Sequence, residues 1–225
     1  SLTWTRRKDK QLNTLNTSSV SGRKKSVRRL TPHKIDDAQY YEFIWSDEVA
    51  SGRGHFDGVR QRALAQKVRP GNKVLDLGAG VWGTAQYIAQ ELHISNVTLV
   101  AYDQSYTARE IVARMCPSLL YLLGPVERTS FEDGEFDCVI AGEVIEHMEE
   151  PAGFVQEMAR ICRVGGWMTL TTVDTTCEQA VAHGPYPEHV FEFTPQDLIG
   201  FFLPYGKTEY SIVGNYHFIL CHRSG

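Results

Sequence analysis

Apolar residues occur along the middle of the chain in two alternating patterns, short continuous runs and longer stretches with helical spacing. In residues 56–68 the apolar positions recur every three to four residues, and Pro70-Gly71 ends that stretch. The spacing predicts a helix, and the short apolar runs that follow predict buried strands. The predicted strands are 73–77, 97–102, 119–123, 136–141 and 167–173, and the helices between them are 83–92, 106–115 and 151–162.

This alternation of strand and helix predicts a parallel sheet that is covered by helices on both faces. After a further helix at 195–203, the chain ends in two strand-like segments, 207–212 and 216–221, joined by the hairpin signal Gly214-Asn215. We therefore predict an α/β fold with a doubly wound, mostly parallel seven-stranded sheet and an antiparallel last strand. Residues 174–194 lack clear periodicity, and we predict that they form a lid-like loop over the ligand-binding edge of the sheet.

The size and charge of the chain indicate one domain with a basic extension. The chain has 225 residues, 42% of them apolar, which is enough to fill one substantial core. Its net charge of −4 is unevenly distributed, since residues 1–30 contain nine Lys or Arg and a single acid, Asp9. We predict a flexible extension at 1–35 and a domain at 36–225, whose first part, 36–70, is a helical cap. Contact with nucleic acid is the alternative use of the basic segment.

The sequence shows no sign of a membrane or secreted location. It has no run of 18 apolar residues and no apolar signal core, so we expect no membrane partner. The five cysteines are widely spaced and include no Cys-x-x-Cys pair. This usage is typical of a reducing compartment and indicates neither a disulfide framework nor a zinc cluster, so we expect a cytoplasmic protein.

The first apolar strand ends in a glycine-rich turn, Leu77-Gly78-Ala79-Gly80, which would let a ligand approach the main chain closely. Asp103 closes the next strand, 23 residues after Gly80, and is placed to accept hydrogen bonds from both hydroxyls of a ribose. Glycines in such turns can also be present only because the turn is tight, without any ligand. Asp76 changes the interpretation, because its carboxylate would repel a pyrophosphate but suits a ligand with cationic groups. S-adenosylmethionine, which carries an ammonium and a sulfonium, is such a ligand.

Residues 73–173 resemble the class I, Rossmann-like methyltransferases that use S-adenosylmethionine. The resemblance is carried by the turn at 76–80, Asp103-Gln104, and the segments 131–137, 141–147 and 163–166. It implies the Rossmann-like methyltransferase fold and a cofactor whose methionine end faces the glycine turn. The cofactor-binding residues that it implies are Asp76, Gly78, Ala79, Gly80, Asp103, Gln104, Val126, Glu127, Gly142, Glu143 and Tyr41.

The implied cofactor site has two further parts, one beside the adenine and one over the sulfonium. Members of the family often have an acid after the third strand that binds the adenine amino group, but Pro125 occupies that position here. The Val126 amide and the Glu127 carboxylate then remain as the groups that could bind adenine. Tyr41 belongs to an aromatic segment that precedes the core, where the family often folds a helix over the cofactor. An aromatic face in that place would attract the sulfonium.

The predicted catalytic residues are His147, Glu143 and His189. Methyl transfer is an in-line displacement, so the protein must chiefly align and desolvate the reacting groups. A base helps when the acceptor is a hydroxyl or a protonated amine, and His147 is the first candidate because its ordinary pKa is close to neutrality. The alternative role of His147 is to bind a backbone group at the end of a helix.

Glu143, Glu146, His147 and His189 also form the pattern Glu-x-x-Glu-His followed by His-x-Phe-Glu. This pattern resembles the metal-binding arrangement of small-RNA 3′-terminal 2′-O-methyltransferases. Two carboxylates and two imidazoles could hold a divalent ion, with Glu143 and Glu146 or His147 on one face of a helix. Small-molecule methyltransferases show the same Glu-x-x-Glu-His pattern, and we therefore predict no metal.

The sequence thus predicts an S-adenosylmethionine-dependent methyltransferase that acts on an oxygen or nitrogen atom of a small molecule. The acceptor is expected to enter between residues 36–58 and 174–194. Metal-assisted RNA 2′-O-methylation is the alternative function. A nicotinamide-dependent oxidoreductase and a cofactor-binding module without catalysis are further alternatives, but Asp76 and the terminal hairpin argue against a dehydrogenase.

Overall fold

The computed structural model describes residues 41–47, 56–183 and 188–225, together with the backbone of Arg28–Arg29. Residues 41–47 form helix α1. The other helices are α2 (Gly58–Leu64), α3 (Thr84–Tyr87), α4 (Tyr106–Met115), α5 (Pro151–Ile161), α6 (Glu178–His183) and α7 (Pro195–Phe202). The strands are β1 (Arg28–Arg29), β2 (Lys73–Leu77), β3 (Thr98–Asp103), β4 (Leu120–Leu123), β5 (Phe136–Gly142), β6 (Cys162–Val173), β7 (Phe191–Glu192), β8 (Gly206–Val213) and β9 (Tyr216–Arg223). A π turn at Ile88–Leu92 extends α3, and 3₁₀ turns lie at Ile145–His147 and Leu203–Tyr205.

Seven strands form one sheet in the order β4-β3-β2-β5-β6-β9-β8. The first five run parallel, and β9 is antiparallel to both of its neighbours, β6 and β8. The predicted fold class is therefore confirmed. The strand order reverses at β2, which pairs with β3 on one side and β5 on the other. In open sheets of this kind, ligands bind beside such a reversal, at the carboxyl ends of the strands.

The sheet is buried on both faces, which explains why its strands read as continuous apolar runs. Alternate residues of β2 face opposite layers. Leu75 packs in a core that contains Phe154 of α5 and Phe202 of α7, whereas Val74 packs in a second core with Leu64 of α2. All five side chains are almost completely buried. Burying one such side chain stabilises the fold by about 1.5–3 kcal/mol relative to leaving it exposed.

Capping residues fix where two of the helices begin. The Ser105 hydroxyl accepts a hydrogen bond of 3.0 Å from the Ala108 amide and so starts α4. Thr194 and Asp197 form a reciprocal capping box at the start of α7, and Pro195 occupies its first turn. A cap of this kind is worth about 1 kcal/mol. The predicted helix at 106–115 has the same bounds in the structure, because the capping serine directly precedes its amphipathic stretch.

The predicted loop at 174–194 is only partly a loop. It contains α6 and the short strand β7, and β7 pairs antiparallel with β1 from the basic N-terminal segment. The helix was missed because Ala180 is its one buried residue, so the sequence shows no apolar stripe there. Apart from Arg28–Arg29, the predicted extension at 1–35 lies outside the described residues, and so do residues 36–40 and 48–55 of the predicted cap.

The cysteines are packing residues in this fold. All five have free thiols, and four of them are buried. Burial raises the pKa of both Cys138 and Cys162 to about 12, so neither is a thiolate at neutral pH. None of the described helices combines the length and the hydropathy that a membrane span requires.

Candidate active site

The glycine turn follows β2 and has the backbone that the sequence predicted. Gly78 has a φ of +77° and Gly80 a φ of +53°, a region that residues with a Cβ rarely adopt. A Cβ on Gly78 would lie 2.5 Å from a methyl group of Val144, and one on Gly80 would lie 2.5 Å from the Trp45 indole. The Gly78 amide donates a hydrogen bond of 2.8 Å to the Tyr102 carbonyl. The turn is thus held against β3, and both glycines are required by conformation and by space.

Asp76 lies beneath this turn and is almost completely buried. Its Oδ2 accepts a hydrogen bond of 2.8 Å from the Ala85 amide in the first turn of α3. Burial raises the pKa of Asp76 to about 6, although the hydrogen bond from Ala85 and the charge of Arg60 act in the opposite direction. Asp76 therefore joins the strand to the helix, and it also faces the ligand cavity.

Asp103 closes β3 and connects two loops of the site. Its Oδ2 accepts a hydrogen bond of 2.9 Å from the Gly80 amide, and its Oδ1 accepts one of 2.8 Å from the Ser105 amide. Burial raises the pKa of Asp103, and these backbone amides oppose that shift. The two amides therefore hold the carboxylate in a fixed orientation at the C-terminal end of β3.

A cavity of about 380 Å³ opens at this edge of the sheet, within the size range of small-molecule sites. Ten of the eleven predicted cofactor-binding residues line it: Tyr41, Asp76, Gly78, Ala79, Asp103, Gln104, Val126, Glu127, Gly142 and Glu143. Gly80 does not, and the Trp45 indole lies against it. Of the predicted catalytic residues, Glu143 and His147 line the cavity, whereas His189 packs behind His147.

Helix α1 covers one side of the cavity with Tyr41, Ile44 and Trp45. It is fixed to the neighbouring helix by Glu42, whose two carboxylate oxygens accept hydrogen bonds of 2.7 and 2.8 Å from the Tyr106 and Thr107 amides. These amides belong to the N-terminus of α4, where a negative charge is favoured. Residues 41–47 of the predicted cap are helical, and the extent of the cap over 36–70 stays a prediction.

The residues that follow β5 do not form the helix that the sequence predicted from Glu143 onward. Glu143 has a φ of +60°, which is uncommon for a residue other than glycine, and the helical turn begins only at Ile145. Glu143 and His147 are therefore not on one helix face. The Glu143 carboxylate lies 3.9 Å from the Arg60 guanidinium. Burial, followed by the nearby charge of Glu146, raises the pKa of Glu143 to about 8.

Glu146, His147 and His189 come together beside the cavity. One carboxylate oxygen and one nitrogen from each imidazole all lie within 4.8 Å of one another. His147 Nδ1 is 3.1 Å from the Glu188 carbonyl oxygen, and the two imidazole rings are 5.0 Å apart. Burial lowers the pKa of His189 to about 3, so this imidazole is neutral at physiological pH. Three of the four residues of the Glu-x-x-Glu-His and His-x-Phe-Glu pattern thus lie close together, without Glu143.

Sequence reasoning missed several residues of the cavity. The main one is Arg60, whose guanidinium lies 5.2 Å from the centre of the Tyr216 ring and close to Glu143. Other lining residues that were not predicted are Gln61, Trp82, Thr84, Met148 and Glu188. Arg60 lies on α2 with no motif around it, so only the folded structure reveals that it joins the site.

The comparisons with known proteins all point to methyltransferases. A family model described as a methyltransferase domain matches residues 75–170. The chain is 28% identical over 182 residues to the ubiquinone biosynthesis O-methyltransferase of Methylocella silvestris, which covers 79% of this chain and 66% of the relative. It is 30% identical over 151 residues to the demethylmenaquinone methyltransferase of Beutenbergia cavernae, which covers 64% of this chain and 60% of the relative. The structure of the PH0226 protein from Pyrococcus horikoshii has a TM-score of 0.59 at 21% identity and covers 74% of this chain and 88% of that chain.

This chain spans between 34% and 66% of the length of the curated relatives that it matches. The segment matched by the family model runs from β2 into β6 and therefore contains the glycine turn, Asp103 and the residues around Glu143. The strand order and the geometry of the glycine turn agree with this match. Residues 75–170 therefore resemble the methyltransferase-domain family, and the chain has the fold of the class I, Rossmann-like methyltransferases.

Proposed function

We propose that the protein uses S-adenosylmethionine to methylate an oxygen or nitrogen atom of a small-molecule acceptor. The observation that carries the proposal is the cavity at the glycine turn, which is lined by the buried Asp76 and the half-buried Asp103. The family match and the methyltransferase names of the relatives support it.

The charges of the cavity fit this cofactor. Five carboxylates line it, Asp76, Asp103, Glu127, Glu143 and Glu188, with Arg60 as the single guanidinium among the described lining residues. A ligand with an ammonium and a sulfonium would reduce the repulsion among these acids. Its carboxylate would need a cationic partner, and we assign that role to Arg60. A dinucleotide would instead bring pyrophosphate charge against Asp76, which disfavours the oxidoreductase alternative.

When bound, the cofactor supplies an electrophilic methyl group. The protein's own part is to orient and desolvate the reaction: Asp103 fixes the ribose, and Tyr41 and Trp45 exclude water from above. The side chains that could take the acceptor's proton, Glu143 and His147, lie on one side of the cavity. His189 lies behind His147. We propose this side as the acceptor site, between α1 and residues 188–190.

The names of some relatives support a hydroxylated acceptor, whereas two others are named for 24-C-methylation of a sterol. Two relatives are named for O-methylation in ubiquinone biosynthesis and for tocopherol O-methylation. We propose, by analogy, that an oxygen of a small molecule is the acceptor here. RNA 2′-O-methylation stays the alternative, and a cytoplasmic location stays a proposal.

Isothermal titration calorimetry with S-adenosylmethionine, S-adenosylhomocysteine and NAD⁺ tests the cofactor. We expect both sulfur compounds to bind and NAD⁺ to release no heat. Absence of binding by both sulfur compounds would contradict the proposal. Labelled S-adenosylmethionine, incubated with the protein and fractionated metabolite pools, would then identify the methylated acceptor.

Asp103→Asn tests the ribose contact. Loss of one charge-assisted hydrogen bond costs about 1.5–3 kcal/mol, so the dissociation constant of S-adenosylmethionine should rise by about 10- to 150-fold. Asp133→Asn is the matched control, because Asp133 is an exposed acid that pairs with Arg160 and does not line the cavity. Equal affinities of Asp103→Asn and the wild type would remove Asp103 from the ribose site.

A further inference from the structure

We propose that Tyr216 is a positioning residue for Arg60 and thereby makes the cofactor site specific for a methyl donor that carries a carboxylate. This role rests on the proposed function, in which Arg60 binds the carboxylate of S-adenosylmethionine. Tyr216 itself is not among the described residues that line the cavity. It acts by holding the Arg60 guanidinium where the carboxylate of the cofactor meets it.

The fold places Tyr216 at the same edge of the sheet as the cavity. β9 runs antiparallel to β6, so its first residue, Tyr216, pairs with Val173 at the carboxyl end of β6. On its other side Tyr216 pairs with Val213 of β8. The ring is therefore carried by a strand that has a neighbour on both sides, which fixes its position better than a loop would.

The spacing of residues on α2 and β9 brings Arg60 onto the Tyr216 ring. Tyr216 and Phe218 are two residues apart on β9 and so face the same side of the sheet. Arg60 and Leu64 are four residues apart on α2 and so lie on the same face of the helix. Phe218 and Leu64 pack in the same buried core. The helix thus lies over the strand in a register that places the Arg60 guanidinium 5.2 Å from the centre of the Tyr216 ring.

Asp57 fixes the start of α2 in this register. Its Oδ1 accepts hydrogen bonds of 3.1 Å from the Val59 and Arg60 amides, and its side chain also accepts a hydrogen bond from the Tyr216 hydroxyl. Burial, the charge of Glu143 and the contact with Asp57 raise the pKa of Tyr216 to about 12, although the charge of Arg60 lowers it. Tyr216 is therefore neutral at physiological pH, and it attracts Arg60 through its aromatic face rather than as an ion pair.

The Arg60 side chain has hydrogen-bonding capacity left for a ligand. Its Nη1 lies 3.9 Å from the Glu143 carboxylate, which is too long for a hydrogen bond. Its Nε is buried and has no hydrogen-bond partner among the described residues. A carboxylate can accept two parallel hydrogen bonds from one guanidinium, so the carboxylate of the cofactor would pair with these donors. Contact with the face of the Tyr216 ring uses none of them, since it involves the plane of the guanidinium.

Calorimetry of the full chain with two ligands that differ only in the carboxylate tests this role. The ligands are S-adenosylmethionine and decarboxylated S-adenosylmethionine. Tyr216→Leu should raise the dissociation constant of S-adenosylmethionine by about 3- to 30-fold, the range expected of one cation–π contact. It should leave the affinity for the decarboxylated compound unchanged. A merely structural role of Tyr216 would weaken both ligands equally.

Two further variants of Tyr216 complete the test. Tyr216→Phe keeps the ring and should restore the wild-type affinity for S-adenosylmethionine, because the aromatic face is what holds Arg60. Thermal unfolding checks that each variant is folded. If Tyr216→Leu is not, Tyr216→Met gives the same comparison, since a methionine side chain fills irregular gaps and has no aromatic face.

Trp167→Leu is the matched control. Trp167 is also a half-buried ring beneath a cation, with Lys67 Nζ 4.4 Å from its centre, but it does not line the cavity. This variant should bind both ligands as the wild type does. If Tyr216→Leu weakens both ligands equally or neither of them, the proposed role of Tyr216 is overturned. Failure of the wild type to bind S-adenosylmethionine would instead contradict the methyltransferase proposal, so the two failures give different results.

Discussion

Asp76 has two roles that favour different protonation states. Its buried carboxylate accepts a hydrogen bond from the Ala85 amide, yet burial raises its pKa to about 6. A raised pKa means that the protonated acid stabilises the empty fold at low pH, and that this contribution is lost as the pH rises through about 6. A bound ammonium reverses the preference, because it favours the carboxylate.

The affinity for S-adenosylmethionine should therefore fall as the pH drops through about 6. Below that value a proton must leave Asp76 on binding, and the dissociation constant should rise by up to about tenfold per pH unit. Calorimetry between pH 5 and pH 7 measures this. Asp76→Asn keeps a hydrogen-bond acceptor for Ala85 and should give weaker binding with a flatter pH profile. A wild-type affinity that does not change over this range would show that Asp76 exchanges no proton with the ligand.

At the scale of elements, helix α1 covers one side of the cavity, and Glu42 attaches it to helix α4. Burial alone would raise the pKa of Glu42, but hydrogen bonds from the Thr107 and Ser105 side chains and from the two α4 amides together lower it. Trp45 extends the contact over Gly80, and Tyr41 meets the edge of the His147 ring at 5.7 Å between centroids. We therefore expect these contacts to slow the release of a cofactor bound beneath the helix.

Glu42→Gln should make the cofactor dissociate faster. A carboxylate at a helix N-terminus is worth about 0.5–2 kcal/mol, so the dissociation rate should rise by about 2- to 30-fold. Stopped-flow displacement of bound S-adenosylhomocysteine measures that rate. Glu110→Gln, which changes an exposed α4 acid paired with Arg109, should behave as the wild type. If both variants release the ligand equally fast, α1 is not fastened through Glu42.

The sequence predicted the sheet well and the connections less well, for physical reasons. Strands buried on both faces carry an apolar run of the right length, and β2 was predicted with its observed bounds. The segment after β5 was read as a helix because Glu143 and His147 are four residues apart, but the left-handed Glu143 delays the turn. Helix α6 is mostly exposed and so has no apolar pattern to detect.

At the scale of the whole molecule, the cavity depends on contacts that no local pattern contains. Arg60 and Glu143 are 83 residues apart in the sequence, yet their side chains meet at 3.9 Å. His189 reaches Glu146 through the backbone contact of Val190. The sequence could place Asp76 and Asp103, because strand ends of a parallel sheet share one edge, but not Arg60 on α2 or Glu188 before β7.

Because the cavity is built from α1, α2, β2, β3 and β5 together, cofactor binding should stabilise the domain as a unit. At a ligand concentration 100 times the dissociation constant, binding raises the free energy of unfolding by about 2.7 kcal/mol. For a domain of this size each kcal/mol shifts Tm by about 2–4 °C, so S-adenosylhomocysteine should raise Tm by roughly 5–10 °C. Differential scanning calorimetry measures the shift in Tm. The controls are the wild type with NAD⁺ at the same concentration and Asp103→Asn with the same concentration of S-adenosylhomocysteine. We expect a smaller shift in both controls. Equal shifts in all three samples would mean that the stabilisation arises away from the Asp103 site.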